Sequence, residues 1–323
     1  MAVIGVHASH EQFLPSELLY YVERAAAAGF AAAMCSDHFH PWSERQGQSG
    51  FAWAWLGAAL QATALPFGVV CAPGQRYHPA IIAQAAATLA EMFPGRFWLA
   101  VGSGEALNEH ITGEPWPRKE ERNARLKEAV EVMRALWAGE TVNHSGLFQV
   151  RDAKLYTRPP APLPLYGAAI SPETAEWMGG WADGLITVGC AADGLRHIRD
   201  AFWRGGGKGK PLLLQAALSY ADSEEDAYAA AHDQWRHAAL SPRLLADLPT
   251  PLAFDDATQY VRPSDLQGCL HIGADPDAQV RWLEEALTLG FDEIYLHHVG
   301  RDLNRFIDVF GTRVLPHLIG TTK

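Results

Sequence analysis

The sequence predicts an α/β chain folded as one (β/α)8 TIM barrel. Three observations lead there. Short apolar, β-branched runs alternate with longer amphipathic runs along the whole chain, and sustained alternation implies a parallel sheet. The alternation gives eight strand–helix units, which favours a closed barrel over an open doubly wound sheet. No glycine fingerprint follows the first strand, which argues further against the open sheet.

The units run in order. Val3 to Ala8 is the first strand, followed by a helix from Pro15 that Gly29 ends. Ala31 to Ser36 and Phe67 to Ala72 are the next two strands, each followed by a helix, Ala52 to Ala64 and His78 to Phe93. Phe97 to Gly102 is the fourth strand, and Lys119 to Ala138 a long charged helix. Strands at Pro164 to Ala168, Leu185 to Val188 and Pro211 to Ser219 precede helices at Pro172 to Ala182, Asp193 to Arg204 and Glu224 to Ala239. The late helix Asp275 to Leu289, the strand Glu293 to His297 and the helix Leu303 to Leu318 complete the count. Two segments break the rhythm: a hairpin insertion over 141–158 and an irregular, proline-containing insertion over 241–273. Insertions in barrels build the wall or lid of the site.

Composition sets limits. The 323 residues are 48% hydrophobic, enough to fill the core of one domain spanning 1–323. A net charge of −11 repels phosphate backbones and argues against nucleic acid as a partner. The N-terminus lacks the basic start and apolar run of a signal peptide, and no apolar stretch is long enough for a membrane span. Four scattered cysteines, Cys35, Cys71, Cys190 and Cys269, read as reduced thiols of a cytoplasmic protein.

In such barrels chemistry sits at the C-terminal ends of the strands. The polar residues there are His7, Ser9 and Glu11 after the first strand, then Asp37, His38, His40 and Trp42 after the second. Ser103, Gly104, Glu105 and Asn108 follow the fourth, Thr187 lies on the sixth, and His297 and His298 end the eighth. Adjacent Asp37 and His38 suit acid/base work, since imidazole titrates near neutral pH; hydrogen bonding that merely anchors the loop is the structural alternative. Ser171-Pro172-Glu173 is a helix start, Ser as N-cap and Pro at the first position, whose free amides suit a phosphate. A metal site is not expected, because strands five to seven end without His, Asp or Glu.

Four stretches in one order carry a resemblance: Ala8-Ser9-His10-Glu11-Gln12-Phe13, Ser36-Asp37-His38-Phe39-His40-Pro41-Trp42, Arg76-Tyr77-His78-Pro79 with the residues to Gln84, and Gly102-Ser103-Gly104-Glu105-Ala106-Leu107-Asn108-Glu109. With them the chain resembles the luciferase-like flavin and deazaflavin oxidoreductases, most closely the F420-dependent glucose-6-phosphate dehydrogenases. The resemblance implies a tricyclic ring lying across the strand ends. It implies cofactor contacts at Asp37, Ser103, Gly104 and Asn108, and a phosphate held at Ile170, Ser171, Glu173 and Thr174. It assigns His38 to the substrate hydroxyl proton, Glu105 to the ring nitrogen, and Trp42 and Glu11 to the lining of the reaction site. It also implies a non-proline cis peptide near Val69-Val70, and a homodimer.

Departures from that pattern shape the expected function. Where the sugar-phosphate enzymes carry cationic and hydroxyl side chains, this chain has Val188, Ala191, Leu245 and Cys269, with Thr187 as the alternative hydroxyl one residue before Val188. A dianion without charged donors loses roughly 1.5–3 kcal/mol per missing bond. The substrate pocket, with His297 at its eighth-strand side, therefore predicts a small non-phosphorylated alcohol or carbonyl rather than glucose 6-phosphate. Ala72 stands where the F420 enzymes place a hydroxyl, and Ile170 and Ser171 where they place glycines; the motifs also resemble a subgroup of the family that uses ordinary flavin, and that resemblance favours FMN as cofactor, with coenzyme F420 as the alternative. The expected reaction is hydride transfer; the alternative is a flavin-dependent monooxygenase.

Overall fold

Each apolar run marked as a strand pairs in parallel with its neighbours, and the last of them joins the first. The structure is a computed structural model that describes residues 3–189 and 191–319. Cys190 lies outside the described residues; Cys35, Cys71 and Cys269 are free thiols.

In chain order the elements are β1 (Val3–Ala8), α1 (Pro15–Ala27), β2 (Ala32–Ser36), α2 (Ala52–Ala62), β3 (Phe67–Cys71), α3 (Pro79–Met92), β4 (Phe97–Val101), the short α4 (Ala106–Glu109) and α5 (Lys119–Ala138). The hairpin β5 (Val142–Ser145) and β6 (Gln149–Ala153) follows, as expected for 141–158. Then come β7 (Leu165–Ala168), α6 (Pro172–Gly179), β8 (Leu185–Val188), α7 (Ala192–Phe202), β9 (Leu212–Tyr220) and α8 (Glu224–Trp235). The chain ends with α9 (Pro242–Asp247), α10 (Pro251–Ala257), β10 (His271–Gly273), α11 (Pro276–Thr288), β11 (Glu293–His298), α12 (Leu303–Val309) and α13 (Leu315–Ile319).

The sheet order β9-β11-β1-β2-β3-β4-β7-β8 closes through a β8–β9 pairing into an eight-stranded parallel barrel. Most expected element ends shift by no more than two residues, while α6 ends three residues early and α8 four; the other corrections are two. The 241–273 segment is not irregular: it holds α9, α10 and β10, and β10 pairs in parallel with the far end of β9, Leu218 to Tyr220. A three-residue strand is too short to show alternation in sequence. The cis peptide expected at Val69-Val70 is absent, since no cis bond occurs among the described residues; β3 pairs through Val69 and Val70 with β2 and β4, and trans is the lower-energy state of a non-proline bond.

Alternation along each strand divides the core in two. The barrel interior holds Met34, Trp98, Tyr166, Ile186, Leu213 and Tyr295, all buried. The opposite faces of the strands, with Val69, Leu99, Leu165 and Leu214, pack against the helices. Two glycines make the interior possible. A Cβ on Gly68 would lie 1.9 Å from the Trp98 ring, and one on Gly5 2.6 Å from the Tyr295 ring. The indole of Trp98 donates to the Tyr295 hydroxyl at 3.1 Å, which in turn donates to Glu293. This aromatic plug fills the lower barrel and leaves the strand ends as the place for a site.

Candidate active site

Above the plug, the inward positions become polar: His7 on β1, Ser36 on β2, Gln215 on β9 and His297 on β11. His7 and His297 stack at 4.1 Å between ring centroids. The Gln215 amide lies 3.0 Å from Nδ1 of His297, and Gln12 Oε1 lies 3.4 Å from its Nε2. A donating Gln215 amide fixes the proton on Nε2, so both ring nitrogens are engaged. Burial, helped by neighbouring imidazoles, pushes His297 down to about 3 and His7 well below the ordinary histidine range. His297 therefore forms a neutral floor beneath the pocket rather than its exposed wall.

The loop after β2 carries the centre of the site. Nδ1 of His38 faces Oε1 of Glu11 at 3.4 Å, and Ser9 donates to the other Glu11 oxygen at 2.9 Å. The His38 and Trp42 rings lie 5.3 Å apart. Trp42 stacks on His237 at 4.8 Å and meets Phe254 edge-on at 5.2 Å. Trp235 bridges this wall to the floor, at 4.5 Å from both His237 and His297. Burial pushes His237 down to about 3, so this aromatic wall is uncharged near neutral pH.

Glu105 caps α4 and accepts from the Asn108 amide at 3.3 Å. Burial raises its carboxyl above the usual range, offset by His38 and added to by Glu11. His38 and Arg76 both act on Glu105 as positive charges, and Arg236 lines the cleft beside Trp42, His237 and Phe254. Asn108 accepts from the backbone of Phe39 at 2.8 Å and of His40 at 3.2 Å. It thereby ties the loop after β2 to α4, and its carbonyl is already occupied. Asp37 is buried beside Arg76, 3.2 Å between Oδ2 and Nη2, and burial still raises its carboxyl. Tyr77 and Trp53 lie near Asp37, yet Oδ1 receives no aligned hydrogen bond.

The structure thus brings His38, Glu11, Glu105, Trp42, Asp37 and Asn108 into one cluster. Ser103, Gly104 and Ala72 adjoin it; Gly104 is left-handed at φ 82°, and a Cβ there would press on Ala72 and Glu109. Val70 faces the barrel interior, but Val69 turns to the helices. Thr187 turns away likewise: it shares its face with Leu185, is 1% exposed, and its hydroxyl has no partner. Strand alternation instead puts Val188 at the mouth, 43% exposed. Leu245 lies on α9, which packs on α4, and Cys269 packs against the buried cluster that includes Trp235, Leu266 and Leu270. Ile170, half-exposed, precedes α6, where the Ser171 hydroxyl accepts from the Thr174 amide and Glu173 sits in the first turn.

Sequence reasoning missed His237, Trp235, Arg76 and Glu109. The last two stand in quoted motifs, but nothing in their spacing shows that they meet. Trp235 ends α8 and His237 lies in the turn just beyond it, and only the return of the chain over the barrel mouth brings them to Trp42.

Comparison with known proteins agrees with this fold. Residues 1–293 match the luciferase-like monooxygenase family. An F420-dependent glucose-6-phosphate dehydrogenase of Intrasporangium calvum is 35% identical over 99% of this chain and 100% of its own length. One from Segniliparus rotundus is 36% identical over 98% of this chain and 97% of its own. An F420-dependent secondary alcohol dehydrogenase, solved in complex with an F420-acetone adduct, superposes with a TM-score of 0.91 and 33% identity, covering 98% of this chain and 99% of that one.

Proposed function

The chain belongs to the luciferase-like monooxygenase family, and from that premise we propose that it is an F420-dependent dehydrogenase of a small uncharged alcohol or its carbonyl product. Oxidoreductase activity is common to the relatives named above. The sequence preference for FMN finds no support among them, and their names favour the alternative, coenzyme F420.

The residues present fit a flat ring cofactor. Asp37 offers a buried oxygen without an aligned donor, and Gly104 leaves bare backbone beside Ala72. Asp37, Ser103 and Gly104 would hold the ring, and the α6 start its phosphate. When bound, the cofactor supplies the carbon that takes or gives hydride. The protein supplies the proton chemistry. Glu11, facing Nδ1, leaves Nε2 of His38 to take the proton from the substrate hydroxyl. Glu105, its carboxyl raised by burial, holds or releases a proton at the ring nitrogen. Trp42, Trp235 and Phe254 exclude water from the reacting atoms.

One observation supports an uncharged substrate above the others: Arg76 is already flanked by Asp37 and Glu109, and Arg236, beside Trp42 and His237, is offset by Asp233 and Asp255. The test is a cofactor titration followed by a substrate panel. F420 should bind with a spectral change and support turnover of secondary alcohols such as propan-2-ol, while glucose 6-phosphate should not saturate. Tight saturation by glucose 6-phosphate, which the named relatives favour, would overturn the substrate reading; turnover that consumes oxygen would overturn the reaction type.

A further inference from the structure

Arg76 and Glu109 lie behind the ring-binding segments, and the reaction described above does not use them. Arg76 leaves the chain between β3 and α3 and is almost wholly buried. Its Nη2 donates to the Asp37 carbonyl at 2.8 Å and to Oδ2 at 3.2 Å. Its Nε faces Oε1 of Glu109 at 3.5 Å, and its backbone amide donates to Oε2 of Glu109 at 2.7 Å. Glu109 ends α4 and backs onto Gly104, where an added Cβ would lie 3.0 Å from Glu109 Cγ. One carboxylate and one guanidinium therefore join the ends of three strands: Asp37 after β2, the Ala72 to Arg76 chain after β3, and Gly104 after β4.

The charges around Glu109 do not balance. Arg76 faces it from one side; Asp37 and Glu105 act on it as like charges. Across a shallow cleft, also lined by Ala72, Pro73, Gln75 and Ser103, stand Arg122 and Arg125 of α5. Arg122 is drawn to Asp247, and Arg125 to Glu114 and Glu121. Glu109 is left to share Arg76 with Asp37. We propose that Glu109, acting through Arg76, is the positioning residue that sets Asp37 and the loop after β3 for the cofactor ring, and that its charge tunes ring affinity. Burial raises the Glu109 carboxyl to about 7, which puts that tuning near neutral pH. Ionised Glu109 adds a negative charge beside an anionic ligand and draws Arg76 from Asp37. Protonated Glu109 leaves Arg76 to Asp37 and still accepts from the Arg76 amide.

The inference rests on the cofactor reading above, and its test separates the two. Equilibrium binding of F420 is measured by fluorescence from pH 6 to 8 for wild type, Glu109→Gln and Glu109→Ala. Wild-type affinity should fall as pH rises, by about tenfold if the ligand and Glu109 couple by one pKa unit. Glu109→Gln, which keeps the acceptor for the Arg76 amide, should bind as wild type does at pH 6 and stay flat. Glu109→Ala should bind more weakly at every pH, with melting temperature of each free protein reported alongside. If wild type binds and all three share one affinity and one pH dependence, the positioning role is wrong while the cofactor reading stands. If wild type binds no ring cofactor at any pH, both fall.

Discussion

Oε1 of Glu11 lies 3.4 Å from Nδ1 of His38, and the two residues reach each other from the loops that follow β1 and β2. A base oriented in this way contributes about 10²–10⁴-fold to rate. His38→Ala should therefore lower kcat by at least about a hundredfold, with F420 affinity unchanged. Glu11→Gln, which keeps shape but removes the charge, should fall less. Full turnover by His38→Ala with intact binding would remove His38 from the mechanism.

The buried imidazoles give the fold an acid limit. Burial lowers His10 and His298 to about 4, His237 and His297 to about 3, and His7 well below its ordinary value. Unfolded histidines titrate near 6.5, so below that pH the unfolded chain binds more protons than the folded one. Stability is thus present above about 6.5 and lost as pH falls toward the folded values, by up to about 1.4 kcal/mol per histidine per pH unit. Melting temperature should drop steadily from pH 7 to 5 and stay level from 7 to 8; a flat profile down to pH 5 would contradict the neutral histidine cluster.

Gly68 exists for the Trp98 ring. A methyl group 1.9 Å from that ring requires Trp98 to move, breaking its bond to Tyr295. Gly68→Ala should cost about 1–3 kcal/mol by urea unfolding, the range for overpacked cores. A cost near zero would show that the barrel interior is looser than described.

Thr187 is the converse case, a buried hydroxyl with no partner. Thr187→Val keeps the volume and removes an unsatisfied group, so stability should hold or rise by about 1 kcal/mol. KM for the substrate should not change, because the side chain faces the helices. A raised KM would return Thr187 to the pocket.

The sequence makes the strands and the reacting residues legible for one reason: both are local. Apolar runs and strand-end polar residues mark β1 to β4 and place Asp37, His38 and Glu105 at the mouth. What it hides is register and return. Whether Thr187 or Val188 faces the mouth depends on one residue of alternation. The pairing of Arg76 with Glu109 depends on two loops meeting across 33 positions. The wall of Trp235 and His237 depends on a helix end folding back over the barrel, and β10 on an overlong partner strand.

That partner strand has an evolutionary consequence. β9 is nine residues long; its first half seals the ring with β8, and its last three residues pair with β10 instead. The segment that roofs the site is thus hydrogen-bonded to a strand that runs past the closed cylinder. Substitutions in 241–273 fall outside the β8–β9 pairing that keeps the barrel shut. The closing seam of the barrel and the segment over its mouth are thereby free to vary independently of each other.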